Sequence, residues 1–352
     1  MSLAFDATIP ERDFAIHLEV QEGSTLALLG PNGSGKSTLL AATAGLLHPR
    51  HARITLAGRT LTETAPGRRS TFVPPHRRDV GLLAQDPLLF PHMTALDNVA
   101  FGPRSRGVPR HRAHPMAREW LGRVDLADHA RRRPHQLSGG QAQRVAVARA
   151  MAADPALLLL DEPLSALDVD VTPALRTTLR TVLAGRTAVI ATHDVLDAVL
   201  LADTVAVLDG GRLVEVGPTR DVLTRPRSSF AARIAGLNLV TGTWDGDGVR
   251  TPAGPTIRGH SAESAPRGTS MVAVFRPAAV AIYRETLPGS PRNSVPVTVT
   301  SLEPHGELIR VRGNGLSADV TPTSVAELDL APGTRVVFVV KAAEVDIYRA
   351  LP

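Results

Sequence analysis

The residues best suited to chemistry form one stretch: Gly30, Pro31, Asn32, Gly33, Ser34, Gly35, Lys36, Ser37 and Thr38. Their spacing fits G-x-x-x-x-G-K-[ST], a loop that binds phosphates when it joins a strand to a helix. The glycines let successive backbone N–H groups turn inward and form an anion nest. A following helix points its positive end at the same spot. Lys36 is placed to reach the β- and γ-phosphates of a nucleoside triphosphate, and Ser37 to hold Mg²⁺. The context fits: Thr25 to Leu29 is an apolar run of buried-strand type, and Leu39 to Ala44 is a good helix former.

Two further groups complete that chemistry. Leu157 to Leu160 is followed by Asp161 and Glu162, a strand carrying two acids at its C-terminal end, the edge where open α/β sheets bind ligands. Asp161 is expected to hold Mg²⁺, and Glu162 to orient and deprotonate an attacking water. Adjacent acids after an apolar run are common; the upstream loop makes these informative. Leu137-Ser138-Gly139-Gly140-Gln141 precedes a helix expected over Gln143 to Ala153. Ser138 can cap it and the glycines bare its first amides, making a second anion-binding terminus.

The elements that must position these groups are readable from periodicity. Phe14 to Val20 alternates as a half-buried strand does. Strands are also expected around Arg53 to Leu56, Val80 to Ala84, Leu157 to Leu160 and Ala188 to Ala191, with helices over much of Leu96 to Ala153 and Ala174 to Leu183. Val205 to Leu208 and Leu213 to Val216 flank Asp209-Gly210-Gly211-Arg212, a hairpin signal. Alternating strands and helices predict an α/β core with a mainly parallel sheet.

Composition bounds the alternatives. The 352 residues are 43% hydrophobic, which predicts two or three domains with packed cores. Cysteine is absent, which excludes disulfides, thiolate metal sites and a cysteine nucleophile. The first residues lack a signal-peptide layout, and no apolar run reaches the ~18 residues of a spanning helix. Of 39 basic residues only Lys36 and Lys341 are lysines; a lysine kept in so arginine-rich a chain suggests a local need for a compact ammonium. Basic clusters at Arg104 to Arg118 and Arg131 to Arg133 are compatible with nucleic acid. With aromatics at 3%, no base-stacking platform is evident, and a solvated, partner-facing helical region is the preferred reading.

In order and spacing, residues 1–235 resemble the ATPase subunit of an ABC transporter. The P-loop is followed by Gln85, by the LSGGQ signature at Leu137 to Gln141, and by Asp161-Glu162. Ser165-Ala166-Leu167-Asp168 resembles the family's D-loop, and His193, in Ala191-Thr192-His193-Asp194, its switch histidine. The resemblance implies an α/β P-loop NTPase domain with a helical subdomain at about 86–153. It implies ATP contacts by Gly30 to Thr38, Ser138, Gly139, Gly140, Gln141 and Asp168, catalytic roles for Glu162, His193 and Gln85, and Mg²⁺ held by Ser37, Gln85 and Asp161. It further implies a head-to-tail homodimer, each ATP lying between one copy's P-loop and the other's signature. That dimer would sit at the cytoplasmic face of the membrane beneath two integral permease subunits, served indirectly by an extracytoplasmic binding protein, with no nucleic acid. Leu88 to Met93 is apolar and suited to docking there or to ordinary core. The family often stacks an aromatic on adenine; here Phe5 and Phe14 are the candidates, Phe14 fitting better as strand core. Ala142 and Gln143 follow the signature where a basic residue is frequent at the first position.

Beyond Gly236 the texture changes to short β-type runs with Gly, Pro and Asn turns, which predicts a small all-β domain of barrel type. Residues 236–289 read as linker or first β lobe and 290–352 as the barrel, with a joint near Thr286 to Pro291. Ser290-Pro291-Arg292-Asn293, Thr321 to Leu328 and Val339 to Val345 resemble the TOBE domain, an OB-like, molybdate-binding-protein-like barrel of some ABC import ATPases. Ser290, Arg292, Ser324 and Lys341 could together hold a tetrahedral oxyanion. Ala343 stands where that family often has serine, which removes a donor and leaves a purely bracing barrel as an equal alternative. The whole chain most resembles ATPases of molybdate importers. Import of iron, sulfate, polyamine or sugar, a non-transport ABC ATPase, and an oxyanion sensor are the other readings.

Overall fold

The computed structural model describes residues 3–67, 70–165, 171–252, 254–261, 264–285 and 293–351. It divides into two compact units, residues 1–219 and 220–352. The change of texture near Gly236 therefore follows the structural division by a short stretch of chain, which contains the helix Ser229–Ile234.

The first unit begins with β1 (Leu3–Ile9), β2 (Phe14–Val20) and β3 (Thr25–Leu29), followed by α1 (Lys36–Ala44). Then come β4 (His51–Leu56), β5 (Arg59–Thr64), β6 (Thr71–Phe72) and β7 (Val80–Leu83). A helical region follows, with α2 (Ala95–Ser105), α3 (Arg110–Arg123) and α4 (Gly139–Ala152). The chain returns through β8 (Leu157–Asp161), α5 (Thr172–Leu183), β9 (Ala188–Ala191), α6 (Val195–Leu201), β10 (Thr204–Asp209) and β11 (Arg212–Pro218).

These strands form two sheets, ordered β2-β1-β4-β5-β6 and β11-β10-β3-β9-β8-β7. In the second, β10, β3, β9, β8 and β7 run parallel and only the edge strand β11 is antiparallel. Its centre is apolar on both faces, as a doubly covered parallel sheet requires. Leu157 and Leu159 of β8 pack toward α1 and the antiparallel sheet. Leu158 and Leu160 pack toward α2, α4 and α5. One apolar run thus serves two cores.

Arg78 ties these layers together. It is 1% exposed and donates to the carbonyls of Val73 (2.7 Å), Ala42 (3.1 Å) and Thr43 (3.0 Å) and to Thr62 Oγ1 (2.9 Å). Two of those carbonyls belong to the last turn of α1, whose negative end welcomes a cation.

The second unit contains α7 (Thr219–Thr224, its first residue at the boundary), α8 (Ser229–Ile234), β12 (Asn238–Trp244), β13 (Gly248–Arg250), β14 (Thr256–Arg258), β15 (His260–Ser261) and β16 (Ser270–Phe275). It continues through β17 (Val280–Tyr283), β18 (Asn293–His305), β19 (Leu308–Gly313), β20 (Leu316–Val320), α9 (Pro322–Glu327), β21 (Arg335–Val340) and β22 (Asp346–Arg349). The sheets are β14-β13-β12-β16-β22-β15 and β17-β21-β18-β19-β20, around one apolar core. This is the expected small all-β domain. The two sequence halves exchange strands: β22 pairs with β16, and β17 with β21. The joint assigned to Thr286 to Pro291 lies outside the described residues.

Arg310 and Asp319, on neighbouring strands, are joined by two hydrogen bonds of 2.7 and 2.8 Å, with side chains 15% and 7% exposed. The Arg310 guanidinium holds the Asp319 carboxyl below its ordinary range. The unfolded chain therefore takes up this proton first on acidification. The pair's stabilisation is present above the ordinary carboxylate pKa and is lost as pH falls through the depressed folded value. Asp319→Asn is expected to destabilise this unit by about 1–3 kcal/mol at neutral pH. Urea unfolding should show that difference shrinking in strong acid.

Candidate functional site

Parallel pairing places the C-terminal ends of β7, β8, β9 and β3 on one edge of the sheet. Each strand is followed there by a motif: β3 by the P-loop, β8 by Glu162, β9 by Thr192 and His193, and β7 by Gln85.

The P-loop closes on itself. Lys36 is 7% exposed, and its ammonium donates to the carbonyls of Gly30 (2.7 Å) and Pro31 (3.0 Å). Burial pushes Lys36 below its ordinary value, while the Glu162 and Asp161 carboxylates act in the opposite direction. Gly35 has φ +103° and stands at the N-cap of α1; a Cβ there would lie 2.8 Å from Phe14 Cδ2. At Gly30 a Cβ would meet Leu208 O at 2.4 Å. Backbone approach, not flexibility alone, calls for glycine at both positions. Ser34 Oγ is buried without a hydrogen-bond partner, a polar atom inside the loop awaiting one.

The acids lie beside this cation. The Ser37 hydroxyl donates to the Asp161 carboxylate. Burial raises Asp161 above its ordinary value; the Ser37 bond and Lys36 oppose the shift, and Glu162 adds to it. Glu162 has φ +47°, and its N–H donates to Ala191 O at 2.9 Å, which pins the bend after β8 to β9. A carboxylate oxygen of Glu162 lies 3.1 Å from His193 Nδ1. A cavity of about 230 Å³ opens beside this pair, lined also by Ser165, Thr192 and Arg176. Gln85 is exposed just beyond β7.

Ser138 caps α4: its Oγ accepts from Gln141 N (3.2 Å), and Gln141 Oε1 accepts from Ser138 N (3.0 Å). The helix begins at Gly139, earlier than its expected start at Gln143, because this reciprocal box satisfies amides that would otherwise be orphaned. Gln141 also reaches His129, at 3.3 Å. None of these bonds reaches the P-loop of the same chain. Asp168 lies outside the described residues.

Neither aromatic considered for adenine is available. Phe5 is 0% and Phe14 1% exposed, packed edge to face at 6.2 Å. Among the exposed side chains of that hairpin, Arg12 donates to Thr38 Oγ1 at 3.1 Å. Arg149 was also silent in the sequence: from α4 it donates to the carbonyls of Leu88 (2.8 Å) and Pro87 (2.9 Å), tying the signature helix to the segment after Gln85. Only the abundance of arginine hinted at such roles.

Of the oxyanion candidates, Ser290 and Arg292 lie outside the described residues. Ser324 is engaged with Thr321 at the start of α9, Oγ to Oγ1 at 3.0 Å. Lys341 lines a different setting, an open cavity shared with Arg276, Tyr283 and Glu344. Among the described residues, no cluster of three or more His, Asp or Glu side chains could hold a metal by itself. Ser37 beside Asp161 instead fits a Mg²⁺ ion bound mainly through its nucleotide.

A phosphate-binding loop, a buried lysine and an acid pair on one edge of a parallel sheet define a P-loop ATPase. Comparison with known proteins narrows the class. The ABC transporter family model matches residues 14–165, and the TOBE domain model residues 289–347. The molybdenum import ATP-binding protein ModC of Mycobacterium tuberculosis is 48% identical over 99% of this chain and 97% of its own. The molybdate/tungstate import ATP-binding protein WtpC of Pyrococcus horikoshii is 34% identical over 95% and 94%. An Fe(3+) import ATP-binding protein, FbpC of Agrobacterium fabrum, is 39% identical over 76% and 74%. A dimeric ATP-binding cassette solved in a post-hydrolysis state with ADP and Pi superposes with TM-score 0.52 and 26% identity, over 62% of this chain and 99% of that one. The chain belongs to the ATP-binding proteins of ABC transporters and carries a C-terminal TOBE domain.

If Phe14 is core and not an adenine contact, Phe14→Leu should lower thermal stability by about 1 kcal/mol while leaving ATP affinity by calorimetry within about threefold.

Proposed function

We propose that this chain is the ATP-hydrolysing subunit of an importer for molybdate or a closely related oxyanion. The full-length similarity to molybdenum and molybdate/tungstate import proteins, extending through the C-terminal domain, carries the cargo assignment. Iron and spermidine/putrescine import proteins match shorter shares of the chain.

The mechanism follows from the sheet edge. The nest of Gly30 to Thr38 and the start of α1 receive the β- and γ-phosphates. Lys36, now bonded only to two carbonyls, exchanges them for phosphate oxygens. Ser37 and Asp161, with Gln85 nearby, are the groups to hold Mg²⁺, which supplies charge neutralisation to the phosphates when bound. Glu162 accepts the proton of the attacking water, and His193, 3.1 Å from that carboxylate, would contact the γ-phosphate.

The phosphate cage is incomplete in one chain: the side chains of Ser138 and Gln141 bond to each other's backbone and to His129 and not to their own P-loop, and Gly139 and Gly140 lie between them. A head-to-tail homodimer supplies each site with the partner's capped α4 terminus and its Asp168. ATP then stabilises the closed pair, and phosphate release opens it. The ATPase work is assigned to residues 1–235, with the helical region at about 86–153; residues 236–289 and 290–352 are the two stretches that share the second unit's core. No helix among the described residues is long and apolar enough to cross a membrane. The importer reading itself, through the family resemblance, brings two permease subunits, with this chain on their cytoplasmic side and an extracytoplasmic binding protein delivering cargo. Exposed Leu88 and Phe101 on the helical region are suited to that contact.

Glu162→Gln is expected to retain ATP binding, cut turnover by about 10²-fold or more and accumulate ATP-bound dimer in size-exclusion chromatography. Unchanged turnover would remove Glu162 as the base. Lys36→Ala should lose ATP affinity by calorimetry. With membrane and binding-protein partners reconstituted, ATPase activity should rise with molybdate; stimulation by spermidine or ferric iron instead would reject the cargo.

A further inference from the structure

His193 stands on an exposed loop, its side chain 62% exposed, and among the described residues its ring hydrogen-bonds Glu162 alone. Its own packing therefore does little to aim it. Thr192 N–H is held by Leu28 O of β3 at 3.2 Å, and the side chains on both sides of His193 are linked to a single guanidinium, Asp194 directly and Thr192 through Asp197. Arg176 of α5 is 9% exposed; its Nε donates to Asp197 Oδ1 at 2.7 Å, and its Nη2 to Asp194 Oδ2 at 3.0 Å. Asp197 Oδ2 accepts from Thr192 Oγ1 at 3.3 Å, and that hydroxyl accepts from Asp194 N at 3.0 Å. Asp194 Oδ1 caps α6 by accepting from Leu196 N at 2.7 Å. Residues 192 and 194 are thus both anchored through Arg176, and 193 hangs between them.

We infer that Arg176 is a positioning residue, holding the 192–194 loop so that the His193 ring faces Glu162. The reading rests on the ATPase mechanism above and extends it. Two carboxylates converge on one buried guanidinium, and a planar fork is the one side chain that meets both. Glu162 N–H is bonded to the carbonyl of Ala191, the last residue of β9, so the strand that leads into this loop steadies the base. Lysine in place of Arg176 offers a single ammonium that cannot span both carboxylates.

The test uses the full-length chain with Mg²⁺-ATP in single-turnover hydrolysis, alongside diethylpyrocarbonate labelling read peptide by peptide. Arg176→Gln should lower the rate constant about tenfold or more with ATP affinity within about threefold, and Arg176→Lys should fall between. In a His193→Ala background the same substitution should add less than about twofold, because the two act as one unit. Labelling of His193 should change severalfold in Arg176→Gln while exposed His111 stays constant. Multiplicative losses in the double variant, or an unaltered His193 labelling rate in either Arg176 variant, would overturn the inference. Loss of affinity equal to loss of rate would do the same. Failure of the unaltered chain to hydrolyse ATP would count against the ATPase reading, and the labelling comparison would still decide the role of Arg176.

Discussion

A buried ammonium without a full set of strong partners organises the first unit. Lys36 has lost most of its water and has two backbone carbonyls and two nearby acids in exchange. Desolvation makes such a charge costly unless it is paired. A polyanion entering the nest relieves that cost, and the orphaned Ser34 hydroxyl inside the same loop points to the same occupant. The loop is therefore built for a guest, and its stability and its affinity are two sides of one electrostatic arrangement.

Parallel strand order is what makes the guest reactive. Five strands running one way deliver their ends to one edge, so residues far apart in sequence face one another without any loop having to travel. The bend at Glu162, in the left-handed region, is held by the neighbouring strand and aims the carboxylate at His193. Arginines then carry the long-range ties. Arg78 braces the far end of the P-loop helix, Arg149 joins the signature helix to the turn after β7, and Arg176 joins α5 to the His193 loop. Each meets two or more oxygens at once, which a lysine cannot do with a fixed fork. The near-absence of lysine elsewhere in the chain agrees with this division of labour.

In the second unit one strand turns the corner. β18 pairs with β21 along its first half and with β19 along its second, with a register shift at Val299. Strand exchange across the two sequence halves gives them one core. The domain's fold is therefore indivisible by sequence position, although its motifs cluster after residue 290.

The chain's own order of residues marked the phosphate loop, the acid pair, the 137–141 motif, His193 and most of the strands and helices around them, though not β6 or α6. These rest on periodicity, turn chemistry and motif spacing, which act over a few residues and need no knowledge of the rest of the chain. Tertiary structure alone decided what required distant segments to meet. It buried Phe5 and Phe14 against each other, started α4 at its reciprocal cap, engaged Ser324 with Thr321, and gave three arginines their carbonyl and carboxylate partners. Such pairings depend on which faces the packed sheets turn toward one another, and a guanidinium's reach across several ångströms leaves no periodic trace in the sequence that supplies it.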